Sequence, residues 1–191
     1  MSIGLTKEKL QAWFDRGESF ESYLENAGDR ATPWQPSIEQ ARLNESQHSL
    51  LAGFIRTMHV LVISGIWCGD CSAQGPMLAA IASGSPKVKM HWIDRDIAIE
   101  LSNRVMINAG NRVPTVLFMA EDFEPVSAVG DRTLSRYRAF AARQVGTACD
   151  IPGLPIEQNE FDATLQDWLN EFERVQLLLR LSGRLRQKHG D

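Results

Sequence analysis

Two of the three cysteines in the chain stand three residues apart, as Cys68 and Cys71. An apolar run of strand length, rich in β-branched residues, ends just before Cys68, and a helical pattern begins just after it. Both sulfurs are therefore expected in the first turn of a helix, where unpaired N–H groups and the helix dipole favour a thiolate. We expect Cys68 to be the attacking nucleophile. Cys71, one helical turn further on and more buried, is placed to resolve the mixed disulfide.

A zinc half-site and a pair of inert thiols are the two alternatives for this cysteine pair. Tetrahedral zinc needs four ligands, and the other candidates stand singly in the sequence, without ligand spacing. These candidates are Cys149, His48, His59, His91 and His189. The spacing and its context favour a redox-active dithiol and no metal. Cys149 lies in a segment rich in glycine and proline, and we interpret it as an incidental free thiol.

The elements that must position the two cysteines follow a β-α-β order. The first strand begins at His59, and the helix that carries the cysteines contains Pro76 and ends at residues 83–86. The second strand covers Val88–Asp94. Further along, the pattern predicts a helix over 97–108, strands over 113–119 and 124–130, and a helix over 132–144.

Both ends of the chain are predicted to be helical. Two prolines mark residues 30–36 as a connector, and a capping-box pattern over 37–40 predicts the start of a helix. Residues 145–158 read as a spacer before a last helix. The apolar stripe of that helix comprises Phe161, Leu165, Trp168, Phe172, Val175 and Leu179. Such a stripe is typical of a helix that packs on its own domain.

Four features together resemble the thioredoxin superfamily over roughly residues 58–145. They are the motif Trp67-Cys-Gly-Asp-Cys71, Pro76, the strand start Val113-Pro114-Thr115, and Gly130 at the end of the following strand. The resemblance implies an α/β thioredoxin-like fold with a mixed sheet of about four strands flanked by helices. On this basis we divide the chain into an N-terminal helical extension (1–57), a thioredoxin-like core (58–145), and a spacer with a C-terminal helix that packs on the core (146–191).

The same resemblance implies roles for residues around the cysteines. It implies that Pro114 is a cis proline packed against the active-site disulfide. The cis form of a peptide bond is energetically accessible only before a proline. It also implies that the backbone of Val113 pairs with a polypeptide substrate and that the Trp67 ring shields the edge of the disulfide. The implied activity is thiol–disulfide oxidoreduction on a protein or small-molecule substrate, with an unidentified electron donor and no organic cofactor. The competing hypothesis is a non-catalytic adaptor or redox-sensing module.

Two positions depart from the better-known thioredoxins. Val62 stands where they carry a buried acid, and Asp70 replaces the usual proline between the cysteines. The motif is instead similar to that of a thioredoxin-related subgroup, which makes Gly69 and Asp70 candidates for redox tuning. An acid in the first turn of a helix can also simply complement the helix dipole. As a tuning group, Asp70 is expected to oppose the Cys68 thiolate.

Composition and charge restrict the classes of function. The chain has 191 residues, with 20 basic and 24 acidic side chains and a net charge of −4, which argues against a nucleic-acid partner. It contains no apolar stretch near the ~18 residues that span a bilayer. Its start lacks the pattern of a secretory signal. We therefore expect a cytoplasmic protein without a membrane partner, in which no disulfide framework holds the fold.

Overall fold

A four-stranded mixed sheet forms the centre of the protein, for which a computed structural model describes residues 4–145 and 159–191. Its strands are β1 (Met58–Ser64), β2 (Val88–Asp94), β3 (Thr115–Met119) and β4 (Pro125–Gly130). They lie in the order β2-β1-β3-β4. Strand β1 runs parallel to β2 and antiparallel to β3, and β4 is antiparallel to β3. This sheet confirms the predicted mixed α/β architecture.

Strand β1 is central because its sequence is apolar on both faces. Val62 pairs with Trp92 of β2 on one side and with Val116 of β3 on the other, and all three side chains are buried. A strand without a polar face needs cover on both sides of the sheet. The strand therefore ends, at Ser64, inside the protein rather than at its surface.

Helices cover both faces of the sheet. After β1 comes α5 (Gly69–Ser83), and the shorter α6 (Ile99–Ser102) follows β2. Beyond β4 the chain forms α7 (Leu134–Val145), α8 (Glu160–Leu181) and α9 (Gly183–His189). The α8 stripe is buried from Leu165 to Leu179, and its Phe172 ring meets Phe118 of β3 edge to face at 5.0 Å. None of the described helices combines the length and the apolar composition needed to cross a membrane.

The N-terminal segment is more helical than its sequence suggests. It contains α1 (Lys7–Asp15), α2 (Phe20–Ala27), a 3₁₀ helix (Gly28–Trp34), α3 (Gln35–Gln40) and α4 (Glu45–Ala52). The prediction of a connector over 30–36 is wrong, because Pro36 lies in the first turn of α3, where a missing N–H costs little. The prediction of a capping box over 37–40 is also wrong: the box is formed by Asn44 and Gln47 at the start of α4.

Two other segments differ from their predictions. The helix predicted over 97–108 is shortened to the single turn of α6, and positive φ angles at Asn108 and Ala109 turn the chain before β3. The last helix is followed by α9, which begins where the Ser182 hydroxyl accepts a hydrogen bond from the Leu185 N–H. Cys149 and most of the predicted spacer lie outside the described residues.

The N-terminal segment is attached to the sheet and to α5. Glu18 pairs with Trp92 at the free edge of β2 through two backbone hydrogen bonds of 2.9 and 2.8 Å. The fully buried Trp34 donates from its indole nitrogen to the carbonyl of Ile66 at 3.1 Å, and its ring rests directly on Gly75 of α5. Ile66 lies in the loop just before the cysteines, so the N-terminal segment contacts both this loop and helix α5.

Candidate functional site

The two cysteines lie where β1 passes into α5. The Cys68 N–H donates to the Gly65 carbonyl at 2.9 Å, which closes the short loop after the strand. Cys68 is the N-cap of α5 in an extended conformation, and its sulfur accepts a hydrogen bond from the Cys71 N–H at 3.4 Å. A side chain that accepts from the first turn is the usual way to satisfy the free N–H groups of a helix start. The predicted placement at a helix N-terminus agrees with this geometry.

The two thiols are exposed to different degrees. Both are free, Cys68 being half-buried and Cys71 completely buried. A reagent or substrate therefore reaches the Cys68 sulfur first. The arrangement is the one expected of an attacking and a resolving cysteine.

Hydrogen bonding lowers the pKa of Cys68 to about 7. The largest cause is the hydrogen bond from the Cys71 thiol, and the backbone N–H groups of Cys71 and Asp70 add to it. Partial burial and the Asp70 carboxylate act against the thiolate without cancelling these bonds. Because hydrogen bonds to the charged form favour it, Cys68 has substantial thiolate character near neutral pH.

Burial raises the pKa of Cys71 well above its ordinary value. The hydrogen bond that Cys71 gives to Cys68 and the charge of the Cys68 thiolate raise it further. Near neutral pH Cys71 therefore retains its proton, while Cys68 exchanges between thiol and thiolate.

The loop before β3 closes one side of the sulfurs. The Val113–Pro114 peptide bond is cis, as the resemblance implies. The carbonyl of Val113 lies 3.5 Å from the Cys68 sulfur and accepts the hydrogen bond of its thiol. Val113 and Pro114 are both buried. Gly130 lies directly against the Pro114 carbonyl with a φ of +157°, where any side chain would overlap that oxygen.

Trp67 forms the exposed side of the site. Its side chain remains 57% exposed although it directly precedes Cys68. The guanidinium of Arg95 lies 4.6 Å from the centre of its ring, a cation–π distance. The structure therefore presents a large, exposed aromatic surface directly before Cys68.

Asp70 is not the isolated anion that the sequence suggests. Its Oδ2 pairs with Arg132 Nη2 at 2.5 Å, and its Oδ1 pairs with Arg136 Nε at 2.7 Å. The carboxylate is only 15% exposed. Two guanidinium groups thus compensate its charge and connect the first turn of α5 to α7.

This ion-pair network extends away from the cysteines in two directions. Glu160 of α8 pairs with Arg136 at 3.0 Å. Asp131 pairs with Arg132 at 3.7 Å and with Arg112 at 3.3 Å, and it accepts a hydrogen bond from Tyr137. Burial alone would raise the pKa of Asp131, but Tyr137 and the arginines hold it below its ordinary value.

Gln74 joins three parts of the structure beneath the site. Its fully buried amide donates to the carbonyls of Asp131 at 2.9 Å and Asp70 at 3.3 Å. Its oxygen accepts from the indole of Trp168 in α8 at 3.1 Å. Every polar atom of this side chain has a partner, as a buried amide requires.

Sequence reasoning missed Arg132, Arg136 and Gln74. The spacing of the two arginines on one predicted helix face was the available signal. Nothing in the pattern named Asp70 as their common partner, because that pairing depends on how α7 packs against α5. Across residues 4–145 and 159–191 we find no cluster of three or more metal-ligating side chains.

The family model described as Thioredoxin matches residues 17–137, which is more than half of the chain. No curated protein matches the sequence. Among solved structures, the protein of unknown function PA1234 from Pseudomonas aeruginosa superimposes with a TM-score of 0.62 at 20% identity, covering 89% of this chain and 98% of that one. An HIV epitope-scaffold superimposes with a TM-score of 0.53 at 21% identity, covering 85% and 90%.

The family match contains the cysteine pair, the cis-proline loop and the helices of the N-terminal segment from residue 17 onward. At these identities the two structural likenesses concern the fold alone. With the sheet order and the site geometry described above, the family match shows that this chain belongs to the thioredoxin family.

Proposed function

We propose that the protein is a thiol–disulfide oxidoreductase that acts through Cys68 and Cys71. The observation that carries the proposal is the difference between the two sulfurs. Cys68 is accessible and has a pKa of about 7, whereas Cys71 is buried one turn away and retains its proton. A reactive thiolate beside a protected second thiol is the arrangement that two-step disulfide exchange needs.

The reaction proceeds in two exchange steps. The Cys68 thiolate attacks one sulfur of a substrate disulfide, a mixed disulfide forms, and the other substrate sulfur leaves as a thiolate. Cys71 then loses its proton and attacks the Cys68 sulfur, which releases the second substrate thiolate and leaves a Cys68–Cys71 disulfide. Two electrons have passed to the substrate, and a dithiol reductant must restore the enzyme.

The surroundings of Cys68 favour a disulfide presented on a polypeptide. In this proposal the backbone of Val113 pairs with the substrate chain, while Trp67 and Pro114 provide apolar contact on either side of the sulfur. In this proposal Gly69 and Asp70, which stand between the two cysteines, tune the redox properties of the pair. We assign the reducing direction and a cytoplasmic setting, where the thiol pool is kept reduced.

Turnover tests the proposal against a non-catalytic adaptor. Purified protein with excess chemical dithiol should reduce many equivalents of a protein disulfide, and Cys68→Ser should abolish this activity. An adaptor or sensor would react with at most one equivalent. Cys149→Ser is the matched control, because it removes a thiol outside the motif and should retain activity.

Trapping identifies the substrate. In cell extract, Cys71→Ser should accumulate mixed disulfides on Cys68 that reductant releases, and Cys68→Ser/Cys71→Ser should accumulate none. If both variants retain the same proteins, the captured proteins are bound without disulfide exchange and the proposal fails.

A further inference from the structure

Two hydroxyl groups are buried beside the resolving cysteine. Ser64 ends β1 and is fully buried, and Tyr23 of α2 is 5% exposed. Residues that alternate along a strand share a face, so Ser64 lies on the same face as Val62, whose partner in β2 is Trp92. The Tyr23 ring stacks 5.9 Å from the Trp92 ring. The topology therefore brings both hydroxyls under the first turn of α5.

Neither hydroxyl has a hydrogen-bond partner among residues 4–145 and 159–191, although both oxygens are inaccessible to solvent. Burying an unpaired hydroxyl costs stability, so such groups call for an explanation. Burial raises the pKa of Tyr23 and the pKa of Cys71, and for each group a hydrogen bond from Ser64 to the ionised form opposes this effect. Ser64 is therefore a side-chain neighbour of both Tyr23 and Cys71, although neither contact is a hydrogen bond in the reduced protein.

The resolving step creates a negative charge at the most deeply buried sulfur of the site. Cys71 must become a thiolate before it can attack Cys68, yet its own N–H is already directed to the Cys68 sulfur. The charged side chains near Tyr23 include the acids Asp94 and Glu18, which offer no positive charge to a thiolate. Val62, on the same face of β1, is apolar. The side chains beside Cys71 therefore offer neutral donors, the hydroxyls of Ser64 and Tyr23.

We propose that Ser64 and Tyr23 serve the resolving step, Ser64 by donating a hydrogen bond to the Cys71 sulfur as it ionises and Tyr23 by donating to the Ser64 oxygen and so fixing its direction. This inference rests on the proposed function. In the step, Cys71 releases its proton to solvent, the bond between the Cys71 and Cys68 sulfurs forms, and the bond from Cys68 to the substrate sulfur breaks. The substrate sulfur leaves as a thiolate and takes up a proton. Both hydroxyls stay protonated throughout.

A symmetrical aromatic disulfide that releases a coloured thiolate separates the two steps. Attack by Cys68 releases a first equivalent, and resolution by Cys71 releases a second. The reduced protein is mixed with excess reagent in a stopped-flow instrument, with every variant in a Cys149→Ser background. In Ser64→Ala, the second release should slow about tenfold or more, since a hydrogen bond to a charged group is lost, while the first release keeps its rate. Ser64→Thr, which retains the hydroxyl, should restore the second rate.

Tyr23→Phe should slow the second release by a smaller factor, and Ser102→Ala is the matched control because it removes a buried hydroxyl outside the site. If Ser64→Ala does not fold, Tyr23→Phe decides the question. An unchanged second release in these variants, or equal slowing of both releases, overturns the inference. Absence of any release from the otherwise unmodified protein refutes the proposed function itself, and release of one equivalent without the second refutes its resolving step.

Discussion

The hydrogen bond from the Cys71 thiol is the main cause of the low pKa of Cys68. Cys71→Ala should raise the pKa of Cys68, because the hydrogen bond from the Cys71 thiol is the largest cause of its lowering. The ultraviolet absorbance of the thiolate, followed against pH, measures this change. The Cys149→Ser variant serves as the control and should keep the midpoint near 7. A Cys71→Ala titration that coincides with this control would mean that the helix N-terminus alone lowers the pKa.

Asp70 should make the site more reducing. Its carboxylate opposes the Cys68 thiolate, and its removal leaves Arg132 and Arg136 uncompensated. Asp70→Asn should therefore lower the pKa of Cys68 and raise the reduction potential, by an amount on the order of 20 mV for about 1 kcal/mol. Equilibration with glutathione measures the potential. Asp96→Asn is the control, since it removes an exposed acid that pairs with its neighbour Arg95; an equal shift in both variants would indicate a general charge effect.

At the level of elements, α5 and the N-terminal segment pack so closely that one added methyl group should destabilise the protein. A Cβ at Gly75 would overlap the ring of Trp34, so Gly75→Ala should lower the free energy of unfolding by about 1–3 kcal/mol through overpacking. Gly69→Ala is a matched control in the same helix, because a Cβ there meets no atom within 4 Å. Urea unfolding compares the two. Equal stability of both variants would show that α5 moves away from Trp34 at little cost.

Elements with strong local patterns were predictable. Strand β2 has the bounds Val88–Asp94 that the sequence predicts, and β1 follows from its apolar run. The sulfur pair was predictable for the same reason, because strand, spacing and helix start are consecutive in the chain. The cis bond before Pro114 followed from the family resemblance and not from local pattern.

Elements whose ends depend on tertiary contacts could not be predicted from the sequence. The helix predicted over 97–108 covers only Ile99–Ser102, and the chain turns at Asn108. Apolar spacing carries no signal for that turn. Residues 30–36 fold as helix despite their prolines because Trp34 is anchored by Ile66 and Gly75. The partners of Asp70 depend in the same way on the position of α7.

For the whole molecule, ionisation of Cys68 links folding to pH. Folding lowers its pKa from 9.0 to about 7, so between these values the unfolded chain binds more protons than the folded one. Stability of the reduced protein should therefore rise from pH 7 to 9 and be lost as the pH falls through 7. We expect a gain of roughly 1–2 kcal/mol, allowing for solvent screening of a half-exposed group. Above 9 the raised pKa of Cys71 acts in the opposite direction.

Urea unfolding under reducing conditions across this pH range, in the native protein and in Cys68→Ser, measures the linkage. The serine variant cannot ionise at this position and should show no such rise. Parallel curves for the two proteins would assign any pH dependence to other groups.

Helix α5 takes its neighbours from both ends of the described chain, and this affects the order in which the protein is built. Trp34 precedes the cysteines in the chain, whereas Trp168, which donates to Gln74, lies in α8, after three further strands and two further helices. On the ribosome, the cysteines therefore emerge well before the indole that completes the hydrogen bonding beneath them. In that interval the Gln74 side chain, one turn beyond Cys71, lacks its indole partner. The hydrogen bonding beneath the two cysteines is thus completed late in translation, only after α8 has left the exit tunnel and docked.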